Sequence, residues 1–288
     1  MLKLQVAAIL VTVATLVSPA WRGSTQTTHR GLKQPPIVSA TDAPAGTETF
    51  AVKWIRVAVP DLGVMLAAVA RPSGAGPFPV VLLLHGSHGF AREYVQLAQD
   101  LARGGLLAVA PCWFSGGSGG GLRFVTPITC PEAPPVSNPL APEALRTVNA
   151  LVQAVRALPG ARPDRIGLFG HSRGGGAVFN YVLNSGDKVQ AAVLENTGYP
   201  TELAERASQV MTPLLMLHGT APSTDEGGSA LSDVRMARNF EAALQRVGKP
   251  VDAVYYEGGG HNSFFSNSPQ HDDEVKRILE FFLRHLGI

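Results

Sequence analysis

Arg165-Ile166-Gly167-Leu168-Phe169-Gly170-His171-Ser172-Arg173-Gly174-Gly175-Gly176-Ala177-Val178-Phe179 is the stretch that decides the fold. Its first five residues read as a short buried strand. The small residues from Gly174 to Ala177, followed by Val178, Phe179, Tyr181, Val182 and Leu183, read as a helix packed closely on a sheet. Between them lies Gly170-x-Ser172-x-Gly174. A strand that turns at once into a helix through such a sequence forces strained backbone angles on its serine. The flanking glycines relieve the crowding and the serine is left exposed at the top of the sheet. The next backbone N–H, that of Arg173, opens the helix, where it is placed to hold a developing oxyanion.

Working outward, residues 50–58 and 63–70, joined by Pro60-Asp61, read as an antiparallel hairpin. Residues 79–84 (Pro-Val-Val-Leu-Leu-Leu) form a continuous apolar run, the signature of a strand buried on both faces. A helix over 92–103, a strand over 106–110, a helix opening at Pro142 and strands over 189–194 and 213–217 continue the alternation. A helix over about 229–247, a strand over 251–256 and a last helix over about 272–286 complete it. This pattern predicts one α/β domain over 50–288, its mostly parallel sheet covered by helices on both faces. The segment 111–142 is rich in Gly and Pro and lacks periodicity, which suits a wall or lid of a site.

The N-terminus carries Lys3, the apolar stretch Leu4 to Val17 and then Ser18-Pro19-Ala20. These are the parts of a signal peptide over residues 1–20, and they predict a secreted or periplasmic protein. The apolar stretch is shorter than the ~18 residues wanted for a stable span. Residues 21–49 read as a flexible lead-in. The formal net charge is +2 with no basic or acidic run, which argues against a nucleic-acid partner. Cys112 and Cys130 are the two cysteines and flank the same Gly/Pro-rich stretch. In an oxidising compartment they are expected to form a disulfide, contributing about 3 kcal/mol by loop entropy. Oligomeric state is not legible.

A serine hydroxyl needs a base to take its proton, and the base needs a carboxylate to orient it. In the chain order that accompanies this motif, acid and histidine follow the serine. His261, in Glu257-Gly258-Gly259-Gly260-His261-Asn262, follows the last strand and is the expected base. The loop His85-Gly86-Ser87-His88-Gly89-Phe90 leaves a buried strand and opens a helix; it is expected to supply the second oxyanion donor, the Ser87 N–H, with His88 as rival. His85 and His88 have no third ligand spaced to join them, so no metal is expected.

These blocks, together with Pro213-Leu214-Leu215-Met216-Leu217-His218-Gly219-Thr220 and Tyr255-Tyr256, resemble the dienelactone hydrolase-like branch of the α/β-hydrolases over roughly residues 50–288. The resemblance implies a sheet of about eight strands and a Ser-His-acid triad. It also implies hydrolysis of carboxylic esters or lactones without a cofactor. Relatives read His-Gly-Thr-x-Asp after the seventh strand, whereas this chain has Pro222 at the acid position. Asp225 is the first-choice replacement, Glu195 at the end of the sixth strand the alternative, and Glu226 a third candidate. Substrate walls are expected from Phe90, Trp113, Phe114, Tyr199 and Phe264 with Phe265, near the carboxyl ends of strands. Arg173 would face either a substrate carboxylate or a neighbouring acid. The expected activity is a secreted serine esterase acting on small or polymeric esters. The alternative is a catalytically impaired binding protein on the same fold, which Pro222 alone favours; a perhydrolase or lyase would use the same serine.

Overall fold

Apolar runs too short for helices become the strands of one sheet in the computed structural model, which describes residues 34–117, 125–265 and 268–287. The strands are β1 (Ile37–Thr41), β2 (Lys53–Val59), β3 (Gly63–Ala70), β4 (Phe78–Leu84), β5 (Leu107–Pro111), β6 (Ala161–His171), β7 (Ala191–Glu195), β8 (Leu214–Gly219) and β9 (Val251–Tyr256). The helices are α1 (Arg92–Arg103), α2 (Pro142–Arg156), α3 (Arg173–Asn184), α4 (Thr201–Glu205), α5 (Val234–Arg246) and α6 (His271–Leu286). The signal-peptide reading and the first part of the lead-in lie outside the described residues.

The sheet order is β1-β2-β3-β5-β4-β6-β7-β8-β9. The first three strands and β5 pair antiparallel, and β5, β4, β6, β7, β8 and β9 run parallel. The chain steps from β4 out to β5 and returns past β4 to β6. The carboxyl ends of β4 and β6 therefore lie side by side at the switch point, where open α/β sheets bind their ligands. The loop after β4 begins with His85 and the turn after β6 holds Ser172.

The central strands are apolar because both faces are covered. Val80, Val81, Leu82, Leu83 and Leu84 are each at most 1 % exposed, and burial of such a side chain is worth about 1.5–3 kcal/mol. Helix α1 turns Tyr94, Val95, Leu97, Ala98 and Leu101 inward, and α6 does the same with Ile278, Phe281, Phe282 and Leu286, the spacing of a one-faced helix. Phe179 of α3 meets Phe240 of α5 edge-on with ring centres 5.0 Å apart.

Two differences from the sequence reading have simple causes. Residues 37–41, read as lead-in, pair with β2 and make the sheet nine-stranded. As an edge strand β1 leaves Ile37 exposed, so it carries no inward run to betray it. The helix expected from 229 is split. Ser229 caps a single 3₁₀ turn (Ala230–Ser232), and Asp233 then caps α5 through the Arg235 N–H.

Candidate active site

Ser172 carries φ 51° and ψ −114°, a conformation that non-glycine residues rarely adopt. Its surroundings hold it there. The Ser172 N–H donates to the Glu195 carbonyl at 2.8 Å, and its own carbonyl accepts from Gly176 at 3.2 Å. A Cβ on Gly174 would run into the Leu84 carbonyl, so only glycine lets α3 start this close to β4. Ser172 is half-buried, at the head of α3, where the Arg173 N–H belongs to the first helical turn and has no intrahelical acceptor.

His261 Nε2 lies 2.9 Å from Ser172 Oγ. The histidine follows β9, three strands away from β6, and Asn196 spans the gap. Asn196, a non-glycine residue at φ 42°, accepts from the Gly219 N–H at 2.9 Å through Oδ1. Its Nδ2 donates to the Gly260 carbonyl at 3.3 Å and Ser263 Oγ at 3.2 Å. The ends of β7 and β8 are thereby tied to the histidine loop. His261 is 4 % exposed, and burial, assisted by His218 and His88, lowers its pKa to about 4. It is therefore neutral near pH 7, the state in which Nε2 can accept a proton.

Behind the pair runs a buried hydrogen-bond chain centred on Tyr94. Gly86 N donates to Tyr94 Oη at 2.8 Å, His88 Nε2 lies 2.9 Å from the same oxygen, and His171 Nδ1 lies 2.8 Å from it. His171 Nε2 is 3.1 Å from the His261 carbonyl. One proton arrangement satisfies every contact: His88 Nε2–H and the Gly86 N–H donate to Tyr94, Tyr94 O–H to His171 Nδ1, and His171 Nε2–H to the His261 carbonyl. It needs neutral imidazoles. Burial supplies them, lowering His88 to about 4 and holding His171 well below the usual range. The loop after β4 and the backbone of His261 are thus fixed to each other.

The acids depart from expectation. Asp225, the first-choice acid, is exposed and makes no hydrogen bond to His261 among the described residues. It sits on the 3₁₀ turn Ser223–Glu226, where one residue step rotates the side chain by about 120°. The next residue, Glu226, turns inward, and its Oε2 accepts from the Asn262 N–H at 2.8 Å. Glu195, the alternative acid, faces His171 instead, with Oε2 3.5 Å from His171 Nε2, while Oε1 accepts from Asn196 Nδ2. Burial, with the like charge of Glu274, pushes the Glu195 carboxyl well above its usual range, so it sits beneath the site as a neutral acid.

The expected substrate walls are also revised. Phe90, Trp113, Phe114, Tyr199, Phe264 and Phe265 are each at most 2 % exposed; the rings of Phe90, Trp113, Phe114, Phe264 and Phe265 pack on one another, His85 and His171, while Tyr199 stacks on Phe240 of α5. They form the packed floor under the site; Trp113 Nε1 donates to the His85 carbonyl at 2.9 Å. Arg173 has no carboxylate partner among the described residues. Its Nε donates to Ser87 Oγ at 3.2 Å and its Nη1 to the Ser137 carbonyl at 2.7 Å, which brings Ser87 and the 125–141 segment to the elbow. The Cys112–Cys130 disulfide, Cα atoms 6.5 Å apart, ties that segment to the end of β5. A cavity of about 200 Å³ beside α1 is lined by Arg92, Glu93 and Phe264 among others, but by neither Ser172 nor His261.

A strained serine on a strand–helix turn, backed by a histidine from the loop after the last strand of a mostly parallel sheet, defines an α/β-hydrolase. The chain belongs to the dienelactone hydrolase family, whose model matches residues 65–286. It is similar to a Methylorubrum extorquens protein named as a candidate carboxymethylenebutenolidase, 24 % identical over 266 residues that cover 88 % of this chain and 87 % of the relative. Among solved structures it resembles a candidate dienelactone hydrolase from Klebsiella pneumoniae (TM-score 0.60, 20 % identity, 87 % of this chain and all of that one). It also resembles an esterase from Thermogutta terrifontis (TM-score 0.56, 17 % identity, 77 % of this chain and 90 % of that one). The protein is accordingly a hydrolase of the ester or lactone type.

Proposed function

We propose that this protein cleaves carboxylic esters or lactones through an acyl-enzyme on Ser172. The observation that carries the reading is the 2.9 Å contact between His261 Nε2 and the hydroxyl of a serine held at φ 51° on the elbow. Ser172 Oγ attacks the carbonyl carbon while His261 Nε2 takes its proton. The carbonyl π-electrons move to oxygen, and the N–H groups of Arg173 and Ser87 receive that charge. On collapse the C–O bond to the alcohol breaks and His261 returns the proton to the leaving oxygen. In a lactone that alcohol stays attached to the acyl group. Water, deprotonated by His261, then releases the acid and restores Ser172. The lactone side of the reading draws on the relative named for carboxymethylenebutenolidase.

The site of action in this reading is outside the cytoplasm. The apolar segment with Lys3 before it and Ser18-Pro19-Ala20 after it supports export, and the Cys112–Cys130 disulfide suits an oxidising compartment.

The test is hydrolysis of p-nitrophenyl acetate through octanoate and of dihydrocoumarin by wild type and Ser172→Ala. Turnover by wild type and none above background by Ser172→Ala is expected. Wild type no faster than Ser172→Ala on every substrate would replace the reading with that of a binding protein.

A further inference from the structure

Glu226 ranks third among the acids by sequence, yet it is the carboxylate built against the histidine loop. Its Oε2 accepts from the Asn262 N–H at 2.8 Å and from Asn262 Nδ2 at 3.3 Å, and its backbone carbonyl accepts from Asn262 Nδ2 at 3.1 Å. On the other side of His261, a Cβ on Gly260 would come within 2.5 Å of Glu226 Oε2, so the missing side chain at 260 is the space the carboxylate occupies. The carboxylate therefore straddles the residues before and after the base. The base has a matching need. With Nε2 accepting from Ser172, Nδ1 carries the proton, and His261 Nδ1 is buried with no acceptor among the described residues. A buried donor left unpaired costs about 1–3 kcal/mol. Glu226 Oε1, meanwhile, accepts no hydrogen bond among the described residues. The imidazole is also approached closely on the same side by Gly228, where a Cβ would lie 3.0 Å from His261 Cγ.

We propose that Glu226 is the positioning carboxylate of the site: a turn of its side chain, pivoting on the Asn262 bond, delivers Oε1 to the Nδ1–H of His261 and fixes the base in the tautomer that accepts from Ser172. Pro222 removes the acid from its usual place, and the 3₁₀ turn that follows carries a longer carboxylate back to the same imidazole from four residues further on. This rests on the Ser172–His261 reading and names the third member that reading lacks.

The experiment compares wild type, Glu226→Gln, Glu226→Ala, Asp225→Asn and Ser172→Ala. The glutamine keeps one oxygen for the Asn262 N–H and puts an NH2 donor in place of the second carboxylate oxygen. Unchanged thermal stability is therefore expected, with kcat on p-nitrophenyl esters lowered ~10²–10⁴-fold. Asp225→Asn is expected to match wild type. Added formate should restore part of the activity of Glu226→Ala, which a purely structural role would not allow. In the free protein, a far-downfield imidazole N–H resonance, absent from His261→Ala, should be present in wild type and lost in Glu226→Gln. Full activity with the resonance intact in Glu226→Gln would overturn the proposal while leaving the serine hydrolase reading in place. If wild type cleaves no ester, that reading falls, and the resonance alone still decides whether Glu226 holds His261.

Discussion

Replacing Glu274 by glutamine should change how stability depends on pH, by an amount the structure sets. Glu274 opens the first turn of α6 but points inward; it is fully buried, as is Glu195 at the end of β7. Burial pushes the Glu274 carboxyl from 4.5 up to about 8, the Ser263 hydroxyl drawing it partly down and Asp273 adding to the rise. The folded protein thus holds a proton that the unfolded chain releases. The stability this provides is fully present below pH 4.5 and is lost as pH rises through about 8. Integrating the linkage between pH 5 and pH 8 with a folded value of about 8 gives a loss of roughly 3–4 kcal/mol. Glutamine has the same shape and nothing to ionise. The stability of Glu274→Gln relative to wild type should therefore climb by that amount over the same interval. Urea unfolding of both proteins at pH 5 and pH 8 reads this directly. A difference between variant and wild type that stays constant to within about 0.5 kcal/mol across the two pH values would refute the claim that Glu274 is a buried neutral acid.

Three further outcomes are expected. Burial lowers His261 to about 4, and a carboxylate turned onto Nδ1 opposes that by stabilising the imidazolium, so the acid limb of kcat/KM should move to lower pH in Glu226→Gln than in wild type; an acid limb that the substitution leaves unmoved would show that Glu226 does not reach the base. Replacing both Cys112 and Cys130 by alanine opens a link across a sequence separation of 18 and should cost about 3 kcal/mol in urea unfolding; a loss under about 1 kcal/mol would mean the segment is held by its other contacts. Tyr94→Phe leaves the Gly86 N–H, His88 Nε2 and His171 Nδ1 without their common partner. It should lower stability by about 1–3 kcal/mol and kcat together, and an unaltered kcat would show that the chain does not fix the loop after β4.

The legible features were those with a strong local signature. The elbow could be read because a sharp strand–helix turn needs glycine on both sides of Ser172. The serine–histidine pairing could be read because His261 follows the last strand in a glycine-rich loop. The aromatic residues are legible as apolar, but hydrophobicity does not distinguish the lining of an open pocket from a floor packed beneath it. Asp225 and Glu226 are neighbours in sequence and differ only in the direction a 3₁₀ turn gives them, which no periodicity records. Tyr94 reads simply as one inward position of α1, although its hydroxyl joins two residues of the loop after β4 to the end of β6. Asn196 left no sequence signal, since its strained backbone and bridging amide exist only once β7, β8 and the histidine loop are together. Edge strand β1 has no such signature, because an edge needs no buried run.

The role of Ser172 as a nucleophile activated by His261 is tested most directly with a fluorophosphonate probe, which reacts with an activated serine whatever the natural substrate. The protein is incubated with the probe, digested and mapped by peptide mass spectrometry. One covalent adduct is expected, on Ser172, absent from Ser172→Ala and formed far more slowly in His261→Ala. No adduct on Ser172, or labelling as fast without His261 as with it, would contradict that role.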